Sequence, residues 1–398
     1  MMQFDWKSVS VALSSLVIFR SVAEDPALKK LQCFLKGAEL ETEEKAEGYG
    51  AFVRTLFEVS YDLTAYLEKR IVEDENDYVL RIAHGKEIPP VLLNCVDREL
   101  ELLSAISRLD PKALAAMVGY DGYLPLFENR GADFVKLYAE RLQNVDRYGY
   151  GIFAANRMFN ITDGVITPVR SADPIEIREL IGYETERRQV VDNTRALLAG
   201  KPAANILLCG DAGTGKSSTV KAVTNLLAGE GLRLIELRKE QILQLPAIME
   251  QLSRNPLKFI IFIDDLSFNK NDDCFGTLKA ILEGSVSVRN QNTVIYATSN
   301  RRHLIKESFT DRDGDDVHHN DTLQELLSLS ERFGMTVLFQ KPNKELYLRI
   351  VHQLAEIKNI HMEAKELELR AEAFALKKGG RSARAAEQFT DQLLSEES

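Results

Sequence analysis

Cysteine is scarce in this chain. Cys33, Cys95, Cys209 and Cys274 are scattered through 398 positions and form no C-x-x-C pair. That excludes the closely spaced frameworks of disulfide-rich secreted domains and of zinc ribbons, and it points to a reducing, cytoplasmic setting. Long apolar runs are missing too. Nothing approaches the roughly 18 uninterrupted apolar residues of a membrane span, so no membrane partner is expected. The one stretch resembling a targeting segment, 9–19, has Asp5 and Lys7 before it and Arg20 after it. With no net positive start and no small-residue cleavage site, it reads as a buried helix. Positive charge is in deficit, with 50 Lys and Arg against 60 Asp and Glu. A surface coated for nucleic acid is thereby excluded, though a local basic patch is not. Internal repeats and low-complexity tracts are absent.

What is present is an ordinary globular composition, 45% apolar and 28% charged, in a chain long enough for two or three domains. Residues 1–165 carry helical spacing: Phe52, Leu56, Leu63 and Leu67, then Leu92, Val96, Leu100, Leu103 and Ile106, then Phe134, Leu137 and Leu142. These stripes are core positions of an all-helical N-terminal domain. The Glu- and Gly-rich stretch 36–50 reads as a loop. Residues 161–175 read as a linker, because Pro168 and Pro174 break helices. Asp173, Pro174 and Glu176 then resemble a helix start, with Asp173 as the N-cap.

From there strands alternate with helices. A helix is expected over 184–199, and strands at 205–209, 232–236, 259–264, 293–298 and 336–339. Alternation of this kind predicts a parallel sheet of five strands covered on both faces, spanning 171–341. After Pro342 three helices, 344–357, 363–378 and 382–395, make a small C-terminal domain over 342–398.

The most informative segment is Gly210-Asp211-Ala212-Gly213-Thr214-Gly215-Lys216-Ser217, a complete G-x-x-x-x-G-K-[ST] phosphate loop between an apolar strand and a helix. Gly210, Gly213 and Gly215 permit backbone angles that a Cβ forbids, so successive N–H groups can face phosphate oxygens. Lys216 would reach the β- and γ-phosphates, and Ser217 would ligate Mg²⁺. As a residue of a phosphate-facing loop, Lys216 is expected to be exposed. Phe259 to Ile263 form an apolar run ending in Asp264-Asp265, with Asp264 forty-eight residues beyond Lys216. Asp264 suits a ligand sphere of Mg²⁺, and Asp265 suits polarisation of an attacking water. A third buried strand ends in Thr298-Ser299-Asn300, whose polar side chains could lie between the acids and the γ-phosphate. The following Arg301-Arg302-His303 reads as a solvated basic face. The segment 308–321, with five Asp and two His, is either a solvated acidic loop or a divalent-metal site.

In this order the pieces resemble the AAA+ superfamily of P-loop ATPases over roughly 171–398, and most closely a bacterial family of that type catalogued only as a domain of unknown function. The resemblance implies an AAA+-type α/β nucleotide-binding domain with a helical lid. Leu180 to Glu184 matches the segment bordering the adenine, which places Tyr183 with the phosphate loop and Ser218 as nucleotide-binding residues. Asn300 falls at sensor 1. Leu327 to Gly334 resembles the arginine-finger box, with Arg332 as the finger. Gly379 to Arg384 resembles sensor 2, with Arg384 the best match and Arg381 the second. The implied catalytic set is Asp265, Asn300 and Arg332, the implied metal ligands are Ser217 and Asp264, and the implied cofactors are ATP and Mg²⁺. A finger acts on a neighbour's nucleotide, so the resemblance also implies a homo-oligomer joined through Arg332 and a macromolecular partner, protein or nucleic acid. Arg332 has a second reading, as an ion pair with Glu331 or Asp311.

Asp265 departs from the superfamily, which usually has Glu there. The carboxylate is drawn back by one C–C bond, about 1.5 Å. Two functions therefore stay open: a Mg²⁺-dependent ATPase that remodels or loads a partner, and a nucleotide-gated adaptor that binds ATP with little hydrolysis. A threading unfoldase is disfavoured, because Arg238 to Leu252 contains no aromatic-apolar-Gly triplet. A small-molecule kinase is disfavoured by the Gly-Arg-Ser-Ala-Arg box of the lid.

Overall fold

The apolar runs become strands because both faces of each must be covered. In the computed structural model, which describes residues 6–37, 39–171, 174–267, 273–283, 291–300 and 331–397, they build one mixed sheet. Its strands are β1 (Met158–Thr162), β2 (Val165–Pro168), β3 (Ile206–Gly210), β4 (Leu232–Leu237), β5 (Lys258–Ile263), β6 (Thr293–Ser299) and β7 (Met335–Phe339). The order across the sheet is β2-β1-β4-β5-β6-β3-β7. The run from β1 to β7 is parallel, and only β2 is antiparallel to its neighbour. Phe259 to Ile263 are wholly buried, as a central parallel strand requires.

The sheet has seven strands where the sequence reading expects five. The two extra strands come from residues 158–168, assigned above to the helical domain and to a linker. The reason is local. Asp163 and Gly164 both have positive φ, 50° and 79°, the two-residue turn that an Asp-Gly pair favours, and they fold β1 onto β2. Pro168 does not obstruct this because β2 is an edge strand, where a missing N–H costs no ladder bond. The chain accordingly divides into two compact units at Ala155/Asn156 rather than near residue 165. Ile177–Glu179 is a single 3₁₀ turn with Glu176 as its N-cap and Glu179 completing the capping box. Asp173, expected as a cap, lies outside the described residues.

Parallel strands end along one edge, which is where a site collects. Register pairs Cys209 with Ser299, Gly210 with Phe339 and Ile263 with Ala297, so the segments after β3, β5 and β6 emerge side by side. The lid is three helices, Lys344–Ile357, Ala364–Lys377 and Ala383–Glu397, closed around Tyr347, Val351, Ala371, Ala386 and Phe389. It belongs to the same unit as the sheet.

The N-terminal unit is helical. The stretch 36–50 is not a loop: Thr42–Phe57 is a helix. Glu41 and Glu44 form a capping box at its start, and Tyr49, Phe52, Val53 and Leu56 make a buried stripe that outweighs the cost of Gly48 and Gly50. Segment 9–19 is half as expected: Trp6–Ser14 is helical, and Leu16 and Phe19 are buried in the turn that follows.

Candidate functional site

Gly210 ends β3 where β7 passes closest. A Cβ on it would meet the Phe339 carbonyl oxygen at 1.9 Å, so only glycine fits. Gly213 and Gly215 follow with φ of 75° and 88°. Together they bend the chain so that, among the described residues, the N–H groups of Gly213, Thr214 and Gly215 have no protein acceptor. The helix Lys216–Leu227 then starts, adding its own unpaired first-turn N–H groups and the positive end of its dipole. Orphaned donors converging on one concavity are the cradle an anionic group needs.

Lys216 is not exposed as expected but buried to 6%. Its ammonium donates to the Gly210 and Asp211 carbonyls at 2.9 and 2.8 Å and to Asn300 Oδ1 at 3.0 Å, which occupies all three of its protons. Burial holds its pKa below the usual lysine value, partly opposed by the nearby Asp211 and Asp264 charges. The Asn300 amide turns its other face to Asp265, donating from Nδ2 to Oδ1 at 2.8 Å. Asn300 thus bridges the phosphate-loop lysine and the second acid.

The first acid is fixed differently. Asp264 Oδ1 accepts from Ser217 Oγ at 2.6 Å, from Thr298 Oγ1 at 2.5 Å and from the Asp265 N–H at 3.1 Å, and among the described residues Oδ2 has no protein partner. Thr298 Oγ1 also accepts the Asp265 N–H at 2.9 Å, and its carbonyl accepts the Leu266 N–H at 2.7 Å. Asp265 sits at φ 50°, a left-handed position that is unusual for a residue with a Cβ. Thr298, 2% exposed, therefore pins the whole Asp264-Asp265 turn onto β6. Sequence reasoning named Thr298 only as part of a polar strand end. The signal that could have raised it is a hydroxyl residue two places before Asn300 that directly follows the run Val294-Ile295-Tyr296-Ala297.

These groups line a cavity of about 390 Å³, within the range of small-molecule sites. One half holds Ala212, Thr214, Ser217, Ser218, Asp264 and Asp265. The other is walled by Leu180, Ile181, Tyr183, Phe339, Ile350 and Leu354. Tyr183, at φ 59°, donates its hydroxyl to the Gln340 carbonyl at 2.7 Å and tilts its ring against Phe339. Burial pushes its phenol up to about 12, so it stays a donor.

Arg384 reaches the cavity from the lid. Its N–H donates to the Gly213 carbonyl at 3.1 Å, and its side chain is exposed and lines the cavity. Arg381 is turned away into a two-pronged pair with Glu372, 2.8 and 2.5 Å. Arg332 is not in the cavity. Half-buried, it pairs with Glu283 at 2.5 Å, an acid the sequence reading did not name. Asp311, Arg301, Arg302, His303, the acidic segment 308–321 and residues 327–330 lie outside the described residues.

Ser217 and Asp264 offer hard oxygen donors of the kind Mg²⁺ takes, with the remaining positions left for phosphate and water. No cluster of three or more His, Cys, Asp or Glu that could hold a metal by itself occurs among the described residues. Nor is any described helix long and apolar enough to cross a membrane.

Comparison with known proteins matches residues 153–397 to a family described as "Protein of unknown function (DUF815)". No curated protein matches the chain. Among solved structures, a single-residue mutant of Thermotoga maritima RuvB is 16% identical, with a TM-score of 0.37 over 54% of this chain and 63% of that one. The chain thus spans less than two thirds of that structure. The Thermotoga maritima RuvB Holliday junction branch migration motor is 14% identical, with a TM-score of 0.33 over 54% and 71%. A structure concerned with katanin self-assembly is 16% identical, with a TM-score of 0.35 over 54% and 68%. What the site can do follows from its own geometry. With the family model covering well over half of its residues, the chain belongs to the DUF815 family.

Proposed function

We propose that residues 156–398 bind ATP with Mg²⁺ and couple its binding and hydrolysis to the loading or remodelling of a macromolecular partner. The observation that carries this is the connected polar chain at the cavity mouth: Ser217 to Asp264, Asp264 to Thr298, Thr298 to Asp265, Asp265 to Asn300, Asn300 to Lys216. Every member is a type that phosphoanhydride hydrolysis uses, and each is fixed by its neighbours in the chain. Ser217 and Asp264 would hold Mg²⁺, which would supply charge neutralisation across the β- and γ-phosphates. Lys216 would give up its carbonyl partners for phosphate oxygens. Asp265 would take up the attacking water once Asn300 releases it, and Arg384 would report the γ-phosphate to the lid.

A second reading, the nucleotide-gated adaptor, is favoured by one observation. Asp265 is shorter than glutamate by about 1.5 Å, and its Oδ1 is held by Asn300 at 2.8 Å. Both features favour slow turnover. Steady-state ATPase measurements with light scattering, with and without MgATP, separate the two. Turnover that rises with assembly supports the first, and tight binding with negligible turnover supports the second. A chain that binds no nucleotide overturns both.

Assembly through Arg332 is tested by mixing Arg332→Ala with Lys216→Ala subunits, each inactive alone. An interface that pairs an intact Lys216 with a neighbour's intact Arg332 restores turnover. No recovery from subunits that demonstrably co-assemble makes Arg332 a structural ion-pair residue, held in part by Glu283.

A further inference from the structure

Arg187 sits one turn into the helix Glu184–Leu198, with its N–H fixed to the Tyr183 carbonyl at 3.0 Å. It is buried to 6%. Among the described residues its guanidinium makes no ion pair and no side-chain hydrogen bond. Glu184, an acid on its own helix, is engaged by Arg349 at 3.3 Å instead. Burial holds the Arg187 pKa below the usual arginine value, with Glu184 and Glu186 opposing from a distance. The side chain is largely buried, yet none of its nitrogens is both buried and unpartnered, so its donors open onto the cavity that Arg187 lines and stay available to a ligand there.

The position says what completes it. Arg187 lines the nucleotide cavity and also a neighbouring groove of about 710 Å³, with Leu180 and Ile181 as shared walls. Its N–H bond joins it to Tyr183, which with Ile350 and Leu354 supplies apolar wall to the cavity. Phosphates have their own donors there: the orphaned N–H groups, Lys216 and Arg384. The apolar half suits a flat heteroaromatic ring, and a ring of that kind presents acceptor nitrogens at its edge.

We propose that Arg187 is the base-reading residue of this cavity, its guanidinium donating to ring-nitrogen acceptors of the bound purine. The proposal rests on the reading of the cavity as an ATP site. It makes Arg187 a specificity determinant reached from the first helix of the unit, independent of the phosphate loop and of the lid arginine.

The test is calorimetry on the full chain with two probes, MgATP and Mg-tripolyphosphate, the second having no base. Arg187→Met keeps the apolar stem and removes the donors. It is expected to weaken MgATP by roughly 10- to 100-fold and to leave tripolyphosphate unchanged. Its thermal midpoint should hold or rise, since a buried unpaired charge is gone. Arg187→Lys, which keeps a donor, should fall between and guards against a folding defect in the first variant. MgATP affinity equal to wild type in Arg187→Met overturns the proposal. So does an equal loss for both probes, which would make Arg187 a phosphate ligand. Wild-type protein that binds tripolyphosphate but gains nothing from the nucleoside overturns base reading while leaving the phosphate site standing. Wild-type protein that binds neither probe overturns the ATP reading itself.

Discussion

The two units bury charge in opposite ways. In the N-terminal helical unit every buried acid is answered. Glu99 receives the N–H groups of Val17, Ile18 and Phe19 at 2.8 to 3.1 Å, closing a turn that has no helix to complete it. Asp25 accepts from Tyr66 at 2.6 Å, faces Arg70 at 2.8 Å and caps the helix Pro26–Lys36. Asp74 is held by Ser21 and Asn76, and burial still raises its pKa above the usual carboxylate value. In the α/β unit the two cations buried at the cavity are answered by replaceable groups or by none. Lys216 rests on two carbonyls and an amide, and among the described residues the Arg187 guanidinium has no hydrogen-bond or ion-pair partner. Completed charges hold a fold together, whereas incomplete ones in a cavity anticipate a ligand.

The largest effect that could break this contrast is at Lys216. Lys216→Ala is expected to weaken MgATP on the order of 1,000-fold, since at least two charge-assisted contacts to phosphate disappear together. The protein should remain folded, because the carbonyls it leaves sit at a cavity open to water. Calorimetry with circular dichroism checks both halves. Unchanged affinity would remove Lys216 from the site, and an unfolded variant would make it a structural charge of the N-terminal kind.

Glu99 is the complementary case. Glu99→Ala strips the acceptor from three N–H groups and should destabilise the N-terminal unit by about 3 kcal/mol. MgATP affinity should not move. Chemical denaturation followed alongside nucleotide titration measures the two together. A loss of nucleotide binding without a loss of stability would reverse the assignment of Glu99 as purely structural.

Much of this was legible in the sequence, for identifiable reasons. β3 through β7 fall within a residue or so of the apolar runs that announced them, because a strand covered on both faces cannot hide its composition. The phosphate loop was legible because backbone geometry dictates its glycines. The hairpin β1–β2 was misread because Pro168 was weighed as a breaker, while Asp163-Gly164, the stronger local signal, went unused. The helix Thr42–Phe57 was misread because Gly48 and Gly50 were counted as loop residues ahead of the stripe at Tyr49, Phe52, Val53 and Leu56. Arg187 was invisible for a different reason. In sequence it lies among Glu184, Glu186 and Arg188 and reads as a solvated face. Only the packing around Ile181 and the lid shows it to be buried. Lys216 likewise was expected at the surface, since no local pattern reveals that its ammonium folds back onto the loop it belongs to.

Thr298 sharpens the contrast within the cavity. Its hydroxyl is spent on Asp264 and the Asp265 N–H, so it acts through them as a positioning residue. Thr298→Val keeps the shape and removes the oxygen. Turnover should fall about tenfold, the net worth of a hydrogen bond or so, with the Mg²⁺ requirement shifted upward because Asp264 Oδ1 loses a donor. Thr298→Ser should restore most of both. A defect that serine fails to rescue would mean the methyl group and packing matter more than the oxygen.

The smallest expected effect separates two arginines three residues apart on the lid. Arg381 spends its guanidinium on Glu372, so its donors are already satisfied. Arg384 has its backbone tied to the Gly213 carbonyl and its side chain exposed at the cavity. Only the second can exchange water for a γ-phosphate. Because that group begins exposed, its contact replaces good hydration and is worth little, up to about fivefold in MgATP affinity. MgADP, which lacks the γ-phosphate, should bind Arg384→Ala and wild type alike, and Arg381→Ala should leave both nucleotides untouched. Equal losses for ATP and ADP in Arg384→Ala would place the arginine on the α- or β-phosphate and remove it as a reporter of hydrolysis. A loss confined to Arg381→Ala would show that the lid rearranges on binding, breaking the Glu372 pair to present the other arginine.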